Sequence, residues 1–153
     1  MSKKLLVFWA YLVEIIASTI IVVLTFSVFE FSEVIGFIHS SSKDIASNFA
    51  VVLLAASLGF FWTFYSKSDS PFMQWLYEKK AFSVYIRSFL FSIGVYVFLV
   101  VSLIFSMNTL SNSAAILSLW LSILGLINAY SLIKNVYELM NLNALFNRKK
   151  EIL

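Results

Sequence analysis

Long apolar stretches separated by short polar segments dominate the chain. A helix that crosses the hydrocarbon core of a bilayer needs about 20 mainly apolar residues. Four stretches meet this requirement, and they cover residues 5–29, 45–65, 82–105 and 114–133. The pattern therefore predicts an all-α polytopic membrane protein in which residues 1–133 form a bundle of four transmembrane helices. Residues 134–153 are predicted to continue as a helical extension, because neither proline nor glycine follows Gly125.

The segment between the second and third spans carries a different helical signal. Ser70 is suited to cap a helix and Pro71 to occupy its first position. Three apolar side chains then share one face of that helix: Phe72, Trp75 and Leu76. We predict a short interfacial helix over residues 71–80 that lies on the inner leaflet. The turn between the third and fourth spans is short and polar, which predicts an antiparallel hairpin.

The segment between the first two spans is acidic and contains the single histidine, His39. Its apolar positions recur at helical spacing, at Phe31, Val34, Ile35 and Ile38. We therefore predict a loop with one or two helical turns along the outer interface. A metal site needs several convergent ligands, so His39 is interpreted as a solvated loop residue.

The basic residues are distributed unevenly between the two faces that these spans define. Of the 11 Lys and Arg residues, Lys43 alone falls in a segment on one face. The others fall on or near the opposite face: Lys3, Lys4, Lys67, Lys79, Lys80, Arg87, Lys134, Arg148, Lys149 and Lys150. Since cytoplasmic segments carry the excess of Lys and Arg, both termini are predicted to be cytoplasmic.

Composition narrows the class of protein further. Hydrophobic residues make up 61% of the chain and charged residues 12%, against about 25% charged residues in soluble proteins. Zero cysteines exclude thiol chemistry and thiolate metal sites. No histidine lies at membrane depth for a Ser-His-Asp arrangement, and the four glycines form no phosphate-binding loop. We therefore expect no enzyme activity, no metal and no cofactor, and the positive charge at membrane borders favours lipid over nucleic acid.

Four polar residues are predicted to lie at membrane depth in the inner leaflet, one from each span: Glu14, Thr63, Arg87 and Asn128. Ionisable groups inside a span are costly, so each is a candidate functional residue. Two interpretations of this polar layer remain open. It forms a water-filled vestibule, an ion path or a proton-sensitive switch, or Glu14 and Arg87 form a structural ion pair that fixes the helix register.

The fourth span carries a stripe of small residues, a feature that lets helices approach closely. Its members are Ala114, Ser118, Ser122, Gly125 and Ala129. Such a stripe serves either the internal bundle or a subunit interface, and its extent favours a homo-oligomer.

Beyond the fourth span, Leu132, Val136, Leu139 and Phe146 recur at spacing typical of a coiled coil, with Asn143 between them. Packing on the chain's own bundle is the equal alternative. The basic end of the tail, at Arg148, Lys149 and Lys150, is the predicted contact for a cytoplasmic protein partner.

The four-span, cysteine-free architecture resembles membrane components of phage-defence systems, and also bacteriocin-immunity and plasmid-exclusion proteins. The resemblance covers the whole chain, rests on no motif and implies no residue roles. It implies a non-enzymatic protein of the bacterial inner membrane that acts as an oligomeric sensor or scaffold, with phage defence favoured over bacteriocin immunity. The alternative function is a small ion channel or transporter subunit that uses the inner polar layer.

Overall fold

The computed structural model describes the backbone of residues 3–151, with the side chains of Trp9 and of residues 11–148. Within this range every element is helical. In chain order they are α1 (Lys3–Val28), α2 (Phe31–Ile45), a π-helical segment (Ala46–Ala50), α3 (Val51–Ser66), α4 (Pro71–Glu78), α5 (Phe82–Thr109) and α6 (Asn112–Glu151). The described residues contain four helical stretches that are long and apolar enough to cross a membrane, and they lie in α1, in the continuous helix Phe31–Ser66, in α5 and in α6.

The hairpin of α5 and α6 forms the centre of the bundle, and the remaining helices pack on its two sides. Helix α1 packs mainly against α6, whereas α3 packs mainly against α5. Helix α2 contacts both members of the hairpin near its turn, and α4 packs near the start of α5. The bundle therefore has an α1 side and an α3 side, separated by the central hairpin.

The distribution of polar and apolar side chains is inverted relative to a soluble protein. Large apolar residues cover the outer surface, where Trp62, Phe98 and Tyr130 are each about 70% exposed. Several polar residues are buried instead: Glu14, Ser18, Ser42, Ser57, Ser92, Ser102, Ser106, Ser118 and Asn128. Most of the buried serines satisfy their hydroxyls on a backbone carbonyl three or four residues earlier, as Ser57 does on Leu53 at 2.8 Å. This arrangement suits an apolar solvent around the bundle.

The segment between the first two spans is helical, as the spacing of its apolar positions predicts, but the helix is much longer than one or two turns. In place of a loop with one or two helical turns, residues 31–45 form the complete helix α2, which continues through the π-helical segment into α3. Val34, Ile35 and Ile38 are buried, and the last two pack against Ala115 of α6. The serines of this segment bond within the helix, since the Ser42 hydroxyl donates to the Ile38 carbonyl at 2.6 Å.

The turn between α5 and α6 is as short as the sequence predicts. Helix α5 ends at Thr109 and α6 begins at Asn112, so the two helices form an antiparallel hairpin. Leu110 adopts a left-handed conformation with φ of 50° and donates its N–H to the Ser106 carbonyl at 3.2 Å. A left-handed residue at this position reverses the chain directly after the last helical turn.

Helix α4 forms where the sequence predicts a short helix. The Ser70 hydroxyl accepts the Met73 N–H at 3.3 Å, and Pro71 is the first helical residue. Its apolar face is covered by protein, because Phe72 and Leu76 are buried and the Phe72 ring lies 5.8 Å from that of Phe146. The helix thus docks on the end of the bundle.

Helix α6 runs without a break for 40 residues, or about 60 Å at 1.5 Å per residue. This is about twice the 30 Å of a hydrocarbon core. Four residues of its second half pack on the core of the same bundle: Leu132, Val136, Leu139 and Phe146. Of the two interpretations of the tail, the structure shows packing on its own bundle, and Asn143 is exposed.

Candidate functional site: a polar cleft between three helices

Glu14 of α1 and Asn128 of α6 meet inside the bundle. The Asn128 Nδ2 donates to Glu14 Oε2 at 3.0 Å. Glu14 is 7% exposed and Asn128 2% exposed, although their residue types prefer water. Because α1 packs directly on α6, two of the four residues predicted for the polar layer are brought together.

The carboxamide of Asn128 is only half satisfied. Its Oδ1 is buried and has no hydrogen-bond partner among the described residues. A buried polar atom without a partner costs about 1–3 kcal/mol, and such atoms are uncommon in native structures. The Asn128 oxygen is therefore free to accept a further donor or to coordinate a cation.

A cavity of about 340 Å³ adjoins this pair, between α1, α5 and α6. Most of its lining residues are polar, and together they are Tyr11, Glu14, Val84, Tyr85, Ser88, Asn128, Ser131, Lys134, Asn135 and Glu138. Its volume lies within the range of about 300–1,000 Å³ that is typical of small-ligand sites. Lys134 and Glu138 are exposed, so opposite charges lie at its open end. We call this cavity the polar cleft.

A second hydrogen bond across the polar cleft joins α5 to α6. The Asn135 Nδ2 donates to Ser88 Oγ at 2.8 Å. Tyr11 of α1 stacks on Phe91 of α5, with ring centroids 4.1 Å apart. Its hydroxyl lies near Ser88 but, within the described part of the chain, outside hydrogen-bonding geometry. Helices α1, α5 and α6 thus all contribute polar groups to the lining of the polar cleft.

The other two residues of the predicted layer lie elsewhere. Arg87 is exposed, although its charge is close enough to act on Tyr11. The hydrogen-bond partner of Glu14 is Asn128, so the suggested Glu14–Arg87 pair is replaced by an amide–carboxylate pair. Thr63 is exposed on α3 and faces a different cavity. The layer is therefore formed by α1, α5 and α6, without α3.

The sequence carried a signal for the missed members of the polar cleft. Asn128, Ser131, Asn135 and Glu138 are spaced by three or four residues along α6 and so share one face. Depth in the membrane alone singles out Asn128, whereas the helical periodicity of polar residues groups all four.

The stripe of small residues on α6 lies inside the bundle. Ala114, Ser118, Gly125 and Ala129 are buried and Ser122 is half-buried. The Ser118 hydroxyl donates to Ser102 Oγ of α5 at 3.1 Å. A Cβ placed on Gly125 would lie 3.4 Å from Leu99 of α5, so the stripe serves close packing of the central hairpin. It offers no free surface for a second subunit, and the homo-oligomer stays a prediction.

His39 was interpreted as a solvated loop residue, and this was wrong. It lies in helix α2, is half-buried, and its Nδ1 is 3.2 Å from both the carbonyl oxygen and the hydroxyl of Ser106. Its spacing of four residues after Ile35, which places both on one helical face, was the available signal. Among the described residues, no group of three or more His, Cys, Asp or Glu side chains is arranged to hold a metal ion.

The predicted partner contact at the end of α6 is described only in part. Arg148 is exposed, whereas the side chains of Lys149 and Lys150 lie outside the described residues. Comparisons of this chain with family models, with curated proteins and with solved structures gave no match. The functional argument therefore rests on the geometry of the polar cleft.

Proposed function

We propose that this chain is a non-enzymatic protein of the bacterial inner membrane, with both termini in the cytoplasm, that takes up a small monovalent cation, the proton included, at Glu14. It would act as a small ion channel or transporter subunit. The observation that carries the proposal is a carboxylate more than nine-tenths buried and hydrogen-bonded to a neutral amide beside the polar cleft.

The electrostatics of Glu14 support this function. A carboxylate removed from water is costly unless a positive charge or a proton neutralises it. The Asn128 N–H stabilises the carboxylate but adds no charge. A cation that enters from the open end of the cleft would meet the Glu14 carboxylate and the unpartnered Asn128 oxygen. Carboxylate, amide and hydroxyl oxygens are the ligands that hard cations prefer.

The test measures cation entry into liposomes that contain the purified chain. A potassium diffusion potential drives entry, and dyes sensitive to pH and to sodium report which cation crosses. We expect uptake above that of empty liposomes, and a loss of at least about tenfold in Glu14→Gln, since the charge is removed and the shape kept. Glu138→Gln is the matched control, because this exposed carboxylate lines the same cavity. Equal uptake by both variants would contradict the proposal.

A second candidate is the oligomeric sensor or scaffold that contacts a cytoplasmic partner in a defence system. The length of α6 favours it, together with the exposed Tyr137 and Leu145 on the part predicted to leave the membrane. Exposed apolar residues in water mark contact surfaces. Native mass spectrometry in lipid nanodiscs tests the assembly: a defined oligomer is expected, and a monomer would contradict it. Under this candidate, removal of the chain after Ile133 abolishes function, whereas Glu14→Gln does not.

A further inference from the structure

A second cavity lies on the opposite side of the central hairpin from the polar cleft. It has a volume of about 590 Å³ and is bounded by α3, α4, α5 and α6. Neighbouring residues separate the two cavities: Ser88 lines the polar cleft and Phe89 this one, and Asn135 and Val136 are divided in the same way. We call it the aromatic cavity.

The walls of the aromatic cavity are apolar and firmly held. Phe64 is 3% exposed and Phe89 1% exposed, with their ring centroids 5.5 Å apart. Phe72 and Met73 of α4 are also buried. Side chains fixed in this way form a preformed apolar surface. The volume of the aromatic cavity lies within the range of about 300–1,000 Å³ that is typical of ligand sites.

The rim of the aromatic cavity is polar and positively charged. Lys67 lines it directly after the end of α3, as do Thr63, four residues earlier, and Ser70, three residues later. Asn143 and Asn147 line it from α6. The lining contains no Asp or Glu among the described residues. An apolar chamber with one cationic rim matches an apolar chain that carries an anionic head.

We propose that the aromatic cavity binds an anionic phospholipid, with one acyl chain against the phenylalanine walls and the phosphate at Lys67. Lys67 directly follows the helical stretch Phe31–Ser66 that is apolar enough to span a membrane, so its ammonium group would lie at headgroup level. Lysine attracts anionic lipid at that depth. The site is independent of cation uptake at Glu14.

The test is lipid retention by the full chain. The protein is purified in a mild detergent and mixed with equal amounts of phosphatidylglycerol and phosphatidylcholine of the same acyl chains, and retained lipids are counted by native mass spectrometry. We expect phosphatidylglycerol to be retained preferentially, and Lys67→Gln to lower that preference about fivefold. The matched control is Lys43→Gln, which removes one exposed lysine from α2 and should leave the preference unchanged.

A second pair of variants tests the cavity itself. Met140 lines the aromatic cavity and is 67% exposed, so Met140→Trp should narrow the opening without overpacking the core. It should lower retention of both lipids, whereas Met107→Trp, on an exposed position of α5, should not. The proposal is overturned if Lys67→Gln behaves as Lys43→Gln does, or if Met140→Trp retains as much lipid as Met107→Trp. Circular dichroism confirms that each variant is folded.

Discussion

The two sides of the central hairpin differ in chemistry although the same two helices form them. On the α1 side, Ser88 and Asn135 bond to each other in the polar cleft. On the α3 side, their chain neighbours Phe89 and Val136 line the aromatic cavity, where the Phe89 ring packs at a tilt against that of Phe64. One residue of helical rotation, about 100°, therefore separates a polar from an apolar environment. We therefore expect the apolar α3 side to contribute more to the stability of the bundle than the polar α1 side.

The largest expected loss of stability comes from a substitution on the α3 side of the hairpin. Phe89 is 1% exposed and packs against Phe64, so Phe89→Ala leaves a void that costs about 3 kcal/mol of unfolding free energy. Its neighbour is the matched control: Ser88→Ala removes one hydroxyl and should cost less than about 1 kcal/mol. Reversible unfolding in mixed micelles measures both. Equal losses would show that the two sides contribute alike to stability.

The next effect concerns the Glu14–Asn128 pair. Asn128→Leu keeps a similar volume but leaves the buried Glu14 carboxylate without its donor, which should cost about 2 kcal/mol of unfolding free energy. Replacing both residues with leucine removes the polar groups together, so most of that loss should return. The same unfolding assay measures the single and double variants. If the double variant is no more stable than Asn128→Leu, the stranded carboxylate is not the cause.

The helical class and the four apolar spans could be predicted because about 20 apolar residues in a row satisfy the bilayer and the backbone in only a few ways. Helix α2 could not be recognised in the same way. The spacing of its apolar positions indicates helical turns, but the packing of Ile35 and Ile38 against Ala115 of α6 is a tertiary contact that no local pattern encodes.

The candidate site could be predicted from the sequence only where a residue type is costly to place inside a membrane span. Glu14 is a charged residue in an otherwise apolar first span, and Asn128 is the strongest polar group of the fourth span. Their mutual contact depends on how α1 and α6 pack, and no local pattern encodes that. Opposite charge alone made Arg87 the expected partner of Glu14. The helix geometry leaves it exposed and presents the amide of Asn128 instead.

The smallest expected effect is the contribution of one hydrogen bond in the polar cleft to the stability of the bundle. The coupling between Asn135 and Ser88, measured with Asn135→Leu, Ser88→Ala and the double variant, should be about 0.6 kcal/mol, as is typical of hydrogen bonds between membrane helices. A value this small would mean that the 2.8 Å bond adds little to the stability of the bundle. The stability of the hairpin would then come mainly from the apolar contacts on its α3 side. A coupling above about 2 kcal/mol would instead make the cleft a structural network, since such values are found when partners are strongly interdependent.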